Sequence, residues 1–496
     1  MAWAAGHYTV FDDEAFSCRR YVLPLGEMVS ALWRGAEPDP PLYYILQNLW
    51  VKTFGVAPLA LRGLSILLFL AGLLFLKRAA TLWFDDRVAR CAFVLAAIHP
   101  AHLFFGFAAR WYSAMFCAIA VLLWLTGRIT KSQTVSTGAI AGWSIAAAAV
   151  CYTNYFGPVV VVLCALAGFL ERRAARVWLC ALAGAVLLFA PWTPPFIHQL
   201  TAFPQLGGGW VSLAGTGGRT AMALCAGNLA APTAWWVWIP MTLAVFASAS
   251  LLFVHRKTLR PFLLIVGGCL LAGIFTRTMI DKYILTFSGP ACILIAAAIT
   301  SGSGSPEKFR SAPLRSVAMV ALAIAWFGCG VNLITERNWS SLRWLDPFAQ
   351  AIQEAAEDPA APPQNNWVMT HPSARYYFAI DAMSVNHDSR MFSAERWRSM
   401  ASEPGNTDAP VPSTPRTMLA SMQNRTPTRL LVLRTAGFSD DPDWKEFDRA
   451  LASNYELKTT KSYLPDPDAA LKDRLDPRYK HPPERIRVEI WTAKEK

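Results

Sequence analysis

Apolar residues along this chain gather into runs long enough to cross a hydrocarbon core of about 30 Å, which takes about 20 residues of helix. Such runs lie near 58–76, 88–107, 111–126, 134–152, 155–170, 177–197, 230–254, 260–275, 283–299 and 314–334, and they predict ten transmembrane helices. The connections between them alternate in charge. Lys77, Arg78, Arg87 and Arg90 form one basic loop, Arg128 and Lys131 the next, then Arg172, Arg173 and Arg176, then Arg256, Lys257 and Arg260, then Lys308, Arg310 and Arg315. Basic loops face the cytoplasm, so the intervening ones face outward. An even number of crossings then leaves residues 1–57 and the chain from about 336 on the same outer face. An outer N-terminus needs a helix or signal to deliver it, so a first helix ahead of this sequence is expected.

Two stretches of the first outer segment are apolar but too short to span. In 41–55, Gln47, Asn48, Lys52 and Thr53 make a polar stripe at helical spacing, which predicts a helix lying in the interface. In 21–33, Tyr21, Leu25, Met28 and Leu32, with Val22, Val29 and Trp33, share a face opposite Glu27, Ser30 and Arg34, which predicts a second juxtamembrane helix. Beyond 336 the runs shorten and Pro, Asp, Arg and Lys become frequent. Strand-like runs at Trp367 to Thr370, Leu430 to Arg434 and Arg485 to Trp491, with a helix-like stretch at Pro347 to Glu357, predict a water-soluble mixed α/β domain. The fold class expected is therefore a polytopic α-helical membrane protein, domain 1–335, followed by a soluble α/β domain, 336–496.

Composition agrees: 54% of residues are hydrophobic and 16% charged, more apolar than a soluble globular chain needs. The net charge of +12 sits in short clusters between apolar runs, which positive-inside topology explains without a nucleic-acid partner. All ten cysteines lie at or before Cys329 and read as small core hydrophobes, with no disulfide framework available to the later segment. No Walker loop, GxGxxG, CxxC or HExxH is present, which leaves nucleotide hydrolysis and a structural zinc without support.

Ionisable groups at the outward face are the candidate chemistry. Asp12, Asp13 and Glu14, within FDDEAFS, are adjacent carboxylates. They can supply a general base through a raised pKa or share a metal ion; the plainer role is to cap a helix and sit on its positive end. Arg62, Arg110 and the group Arg277, Asp281, Lys282 and Tyr283 fall at outer ends of spans, where cations suit a lipid phosphate or simply snorkel. Trp111, Tyr112 and Tyr283 fit an interfacial aromatic belt equally well. His7, His99, His102 and His198 are isolated, and His99, just before Pro100, reads better as satisfying backbone than as a ligand.

In chain order stand FDDEAFS, an amphipathic helix, DPPLYYILQNLWVKTFG, LRGLS, AARWYS, YTNYFG, APWTPPF and DKYILTFSGP. This succession, over about residues 11 to 345, resembles the bacterial GT-C membrane glycosyltransferases of the dolichyl-phosphate-mannose-protein mannosyltransferase and aminoarabinose transferase type. The resemblance implies transfer of a sugar from a polyprenyl-phosphate donor to an envelope acceptor on the outer face of the bacterial inner membrane, by inverting displacement. It places the base on Asp13 with Glu14 beside it, and turns Arg110, Lys282 and Tyr283 toward the carrier phosphate, with Arg62, Tyr112 and Arg277 as further substrate contacts. Three positions depart from that pattern: Asp39 stands before PPL where His or Lys is usual, Ala108 where an acidic residue is frequent, and Asn154 where His is common. Asp39 is accordingly a candidate for the substrate site or for a redistributed acidic site with Asp13, and a divalent metal is left open. The competing reading is a transporter or flippase of lipid-linked sugars, which calls for charges within the spans and a site at the midplane.

Overall fold

The computed structural model describes residues 5–6, 10, 12–35, 39–171, 174–202, 220, 224–227, 229–230, 234–254, 256–275, 281–300, 308–334, 348–362, 366–369, 418–419, 422, 427–435, 442–465 and 484–494. The chain divides into two compact units. The first comprises Met1–Gly6, Pro24–Trp50 and Leu61–Ser341; the second comprises His7–Leu23, Val51–Ala60 and Leu342–Lys496.

The helices, in chain order, are α1 (Asp12–Tyr21), α2 (Leu25–Trp33), α3 (Pro41–Phe54), α4 (Pro58–Trp83), α5 (Asp86–Ile98), α6 (Pro100–Phe105), α7 (Tyr112–Lys131), α8 (Thr137–Thr153), α9 (Gly157–Glu171) and α10 (Ala175–Phe189). Then come α11 (Thr193–Ala202), α12 (Trp235–Val254), α13 (Arg256–Phe275), a 3₁₀ turn at Asp281–Thr286, α14 (Ser288–Thr300) and α15 (Lys308–Ile334). Among the described residues, four segments are long and apolar enough to span a bilayer by length and composition: Pro58–Trp83, Tyr112–Lys131, Ala175–Gln199 and Pro313–Leu333. Five shorter apolar helices accompany them.

The run 88–107 is not one helix, contrary to the hydropathy reading. Proline lacks an N–H and pushes the preceding residue out of helical geometry, so α5 stops at Ile98 and His99 adopts φ −58° and ψ 127°. Pro100 then starts α6, and His99 Nδ1 accepts the Ala101 N–H at 3.2 Å as its cap. The interfacial segment 21–33 is likewise divided: α1 ends at Tyr21 and Pro24 precedes α2, which buries Met28, Ala31 and Leu32 and leaves Leu25 and Trp33 exposed.

Within the first unit α14 is buried almost throughout and packs on α5, while α12 lies along α15, α8 along α10 and α9 along α13. With lipid outside, helices gain from close approach of small residues and not from expelling water. Gly168 on α9 lies under Trp178, where a Cβ would come within 2.3 Å of the indole. Ser144 on α8 donates to the Ala181 carbonyl of α10 at 2.9 Å. Large apolar side chains point outward instead: Leu187, Phe246 and Phe327 are 73%, 69% and 75% exposed, as a lipid-facing surface requires.

His102 joins α6 to α14. A carbonyl can only accept, so His102 Nδ1 donates to the Ala96 oxygen at 2.6 Å, and Nε2 is left to accept the Ser288 hydroxyl at 2.6 Å. The ring is fully buried against Phe69 and Phe116. His102→Ala is expected to cost about 2–3 kcal/mol, from a cavity plus buried groups left unpaired. His102→Phe restores volume only, so thermal unfolding of both variants in detergent separates packing from hydrogen bonding.

The second unit carries a four-stranded sheet in the order β1-β2-β4-β3, with β1 (Trp367–Val368), β2 (Arg429–Thr435), β3 (Tyr455–Pro465) and β4 (Glu484–Ala493). β1 and β2 are parallel; the other pairs are antiparallel. Beside α1, the unit contains the helices α16 (Phe348–Glu357) and α17 (Pro442–Asn454). Leu430, Leu431, Val432 and Leu433 are all buried, which requires cover on both faces of β2. One face holds Val368, Leu430 and Val432 against Phe447, Leu451 and Tyr455. On this face Arg434 donates to Glu489 at 2.8 Å and to Asp448 of α17 at 2.7 Å.

A bulge between Leu457 and Thr459 shifts the phase of β3, so that Lys461 and Tyr463 lie opposite Val488 and Ile486. Both reach Glu354 of α16, Lys461 as an ion pair and the Tyr463 hydroxyl as a donor at 2.8 Å. The Lys461 hydrogen bond, aided by Gln350 and Tyr463, holds the Glu354 carboxyl down at about 2. A depressed carboxylate contributes stability above its unfolded value near 4.5 that is lost as pH falls toward 2. The groups are partly exposed, so the effect is modest and weakens with salt. Comparing unfolding of wild type and Glu354→Gln from pH 6 to pH 2 is expected to show a difference at pH 6 that vanishes near pH 2.

Candidate functional site

The motifs that are far apart in sequence meet within the first unit. Pro41 opens α3, where its missing N–H costs nothing, and fixes Asp39 and the Tyr43–Tyr44 pair at one end of the helix. Tyr43 hydrogen-bonds Ser65 at 2.8 Å, and Gln47 Nε2 donates to the Leu61 carbonyl at 2.6 Å, tying DPPLYYILQN to LRGLS. The polar stripe of α3 is therefore split. Gln47 and Asn48 are buried and Lys52 and Thr53 exposed, because the first two meet protein partners where solvent was expected.

Residues 106–111 form a tight turn ahead of α7, closed by the Ser113 hydroxyl donating to the Gly106 carbonyl at 2.6 Å. That turn aims Arg110 at α3. Arg110 Nη2 lies 2.7 Å from Asp39 Oδ2, and Nη1 donates to the Tyr44 hydroxyl at 3.2 Å. Both charged side chains are about 7% exposed. A pair so buried is held by geometry and hydrogen bonds, since removing either partner strands a charge. Asp39 is thus paired with a cation, and Tyr44, a partner that the sequence reading did not single out, completes the contact.

The neighbours of Arg110 gather the late motif. The Trp111 ring meets Tyr112 edge-on at 4.8 Å and lies 5.4 Å from the Tyr283 ring, and the Asp281–Thr286 turn packs on α7. Tyr112 is fully buried and also meets Phe105, so it serves as packing for the turn that presents Arg110. Tyr283 is half-buried beside Trp111. Lys282 lies in the same 3₁₀ turn, its side chain outside the described residues, as is all of Arg277. Arg62 does not snorkel: it is fully buried, donates to the Ala5 carbonyl at 2.8 Å and stands 5.2 Å over the Phe107 ring.

A third junction joins YTNYFG to APWTPPF. Asn154 ends α8 and its side chain accepts the Phe156 N–H at 2.9 Å, a backbone duty that any polar cap could perform. Tyr155 hydrogen-bonds Gln199 and receives the Trp192 N–H at 3.1 Å, and Gln199 in turn donates to the Leu32 carbonyl of α2 at 2.7 Å. His198 lies against Gly35, whose φ of +81° suits glycine. His99 caps α6, and His102 joins α6 to α14; His7 is outside the described residues.

Asp13 and Glu14 belong to the second unit. With Asp12 they begin α1, where negative charge is favourable on the helix dipole; Asp13 is half-buried and Glu14 fully buried. Among the described residues no group of three or more His, Cys, Asp or Glu is close enough to hold a metal ion.

No family model matches the chain. No curated protein matches it in sequence either. Solved structures do. The structure of ArnT from Cupriavidus metallidurans bound to undecaprenyl phosphate is similar over 98% of this chain and 96% of that one, at 13% identity and a TM-score of 0.55. The apo structure of the same protein is similar over 98% and 95%, at 12% identity and a TM-score of 0.56. The likeness is one of fold and spans nearly the whole chain: the chain has the fold of ArnT, and helices long and apolar enough to cross a membrane.

Proposed function

For a chain with the GT-C fold, we propose transfer of a sugar from a polyprenyl-phosphate donor to a cell-envelope acceptor on the outer face of the bacterial inner membrane. The observation that carries this reading is the meeting of three separate motifs, where Arg110 is buried against Asp39 and the Tyr44 hydroxyl and its neighbour Trp111 packs on Tyr283, which gives a buried guanidinium of the kind a lipid phosphate needs. The undecaprenyl phosphate bound by the similarly folded ArnT supports it.

In the proposed reaction the acceptor hydroxyl oxygen attacks the anomeric carbon from the face opposite the phosphate. The new C–O bond forms as the anomeric carbon–phosphate oxygen bond breaks, inverting the configuration. Asp13, with Glu14 beside it, takes the hydroxyl proton, and the polyprenyl monophosphate leaves with the electron pair. Arg110, with Lys282 and Tyr283, stabilises the charge that develops on the leaving phosphate. Arg62 holds the Ala5 carbonyl, and Tyr112 packs the turn that presents Arg110. The division into a membrane domain, 1–335, and an outer domain, 336–496, that binds or covers acceptor belongs to the same proposal.

The test is turnover by the full chain in lipid with a panel of polyprenyl-phosphate sugars and envelope extract as acceptor. Release of free polyprenyl phosphate, with the sugar appearing on an acceptor, is the expected result. Movement of intact donor across the bilayer without bond cleavage would instead establish a flippase.

A further inference from the structure

We infer that Asp39 selects the charge of the lipid phosphate: it favours the singly charged phosphodiester of a donor over the more highly charged monophosphate left after transfer. The inference rests on the reading above that Arg110 receives the carrier phosphate. It adds a specificity role for a residue that carries the wrong sign for a phosphate ligand.

Three observations carry it. First, Asp39 lies 2.7 Å from Arg110 with both side chains about 7% exposed, so its negative charge offsets that of the guanidinium it is paired with. Second, the carboxylate has little freedom to leave. Asp39 precedes Pro40 and Pro41, which restrict its backbone, and α3 begins at Pro41. Third, Tyr44 occupies Nη1 of the same guanidinium at 3.2 Å, so Arg110 is oriented from two sides by α3 and its leading turn.

The chemistry follows from charge. A phosphodiester carries one negative charge at neutral pH, whereas a phosphate monoester, with a second pKa near 6, carries about 1.5 to 2. Both meet the attraction of Arg110 and the repulsion of Asp39. The repulsion grows with ligand charge, and in a site shielded from water it is several-fold stronger than in solution. A neutral pair therefore holds the donor while weakening the grip on the product, so Asp39 promotes release of the carrier lipid after each transfer.

The experiment measures affinity of the full-length protein in lipid nanodiscs for undecaprenyl monophosphate and for its methyl phosphodiester. Wild type, Asp39→Asn and Asp39→Glu are compared, each checked for thermal stability. Asn keeps size and a hydrogen-bond acceptor for Arg110 but removes the charge; Glu keeps the charge. Asp39→Asn is expected to tighten monophosphate binding by about tenfold more than diester binding, as a through-space charge at this range gives. Asp39→Glu is expected to keep the wild-type preference. Equal gains for the two lipids, or no change in their ratio, would overturn the inference. If Arg110→Ala weakens both lipids while Asp39→Asn leaves the ratio unaltered, the phosphate site stands and the charge selection falls. If neither lipid binds wild type, both fall together.

Discussion

Replacing Asp13 by Asn is expected to lower donor turnover by at least about 10²–10⁴-fold, the contribution of a positioned general base, with little change in folding. The amide is nearly isosteric but cannot take the acceptor's proton. Asp13 lies in the first turn of α1, where a carboxylate also stabilises the helix. That second role is worth only about 0.3–1 kcal/mol, so it predicts a small loss of stability and intact chemistry. The two roles are separated by measuring polyprenyl phosphate release and thermal unfolding on the same Asp13→Asn sample. Full activity in that variant would move the base elsewhere. Glu14 is fully buried, and Glu14→Gln distinguishes a supporting carboxylate, which alters the pH profile of turnover, from one that only packs.

Arg110→Ala carries the largest expected cost to stability, about 3–5 kcal/mol, because it leaves Asp39 buried without its counter-ion. It also removes the proposed phosphate contact. A double variant, Asp39→Asn with Arg110→Ala, is expected to recover part of the stability, since the stranded charge is gone, but not donor binding. Arg110→Lys keeps the charge but cannot span both Asp39 and Tyr44, so intermediate stability is expected. Denaturation in detergent and donor affinity in lipid read these effects separately. A single-variant loss that the second substitution does not relieve would show that the ion pair is not what holds the turn 106–111 in place.

Much of the architecture is legible along the chain because hydrophobic length and turn chemistry are local properties. The helices at 58–83 and 112–131 begin at or next to the starts of their predicted runs and extend past the predicted ends at 76 and 126, and three strands and a helix of the second unit fall on the segments predicted for them. The misses have particular causes. Averaging over 88–107 hides Pro100, whose missing N–H splits the run. α17 is rich in charge and shows its core side only through Phe447 and Leu451, four residues apart. β3 is an edge strand whose exposed Lys458 and Lys461 dilute the alternation that marks a strand.

The site divides in the same way. The order of residues along the chain establishes the membrane-spanning class, the succession of motifs and the side chains available, Asp13, Asp39, Arg110 and Tyr283 among them. Which of these meet is settled by packing. Asp39 and Arg110 are 71 residues apart, and their contact depends on how α3, α4 and the turn before α7 come together. The same packing turns Arg62 inward to a backbone carbonyl and makes Gln47 a buried bridge instead of a solvated face. Burial is what fixes hydrogen-bond partners: a charged or polar group taken out of water must find one within about 3 Å, and which one it finds is a property of the packed helices and not of the neighbouring residues.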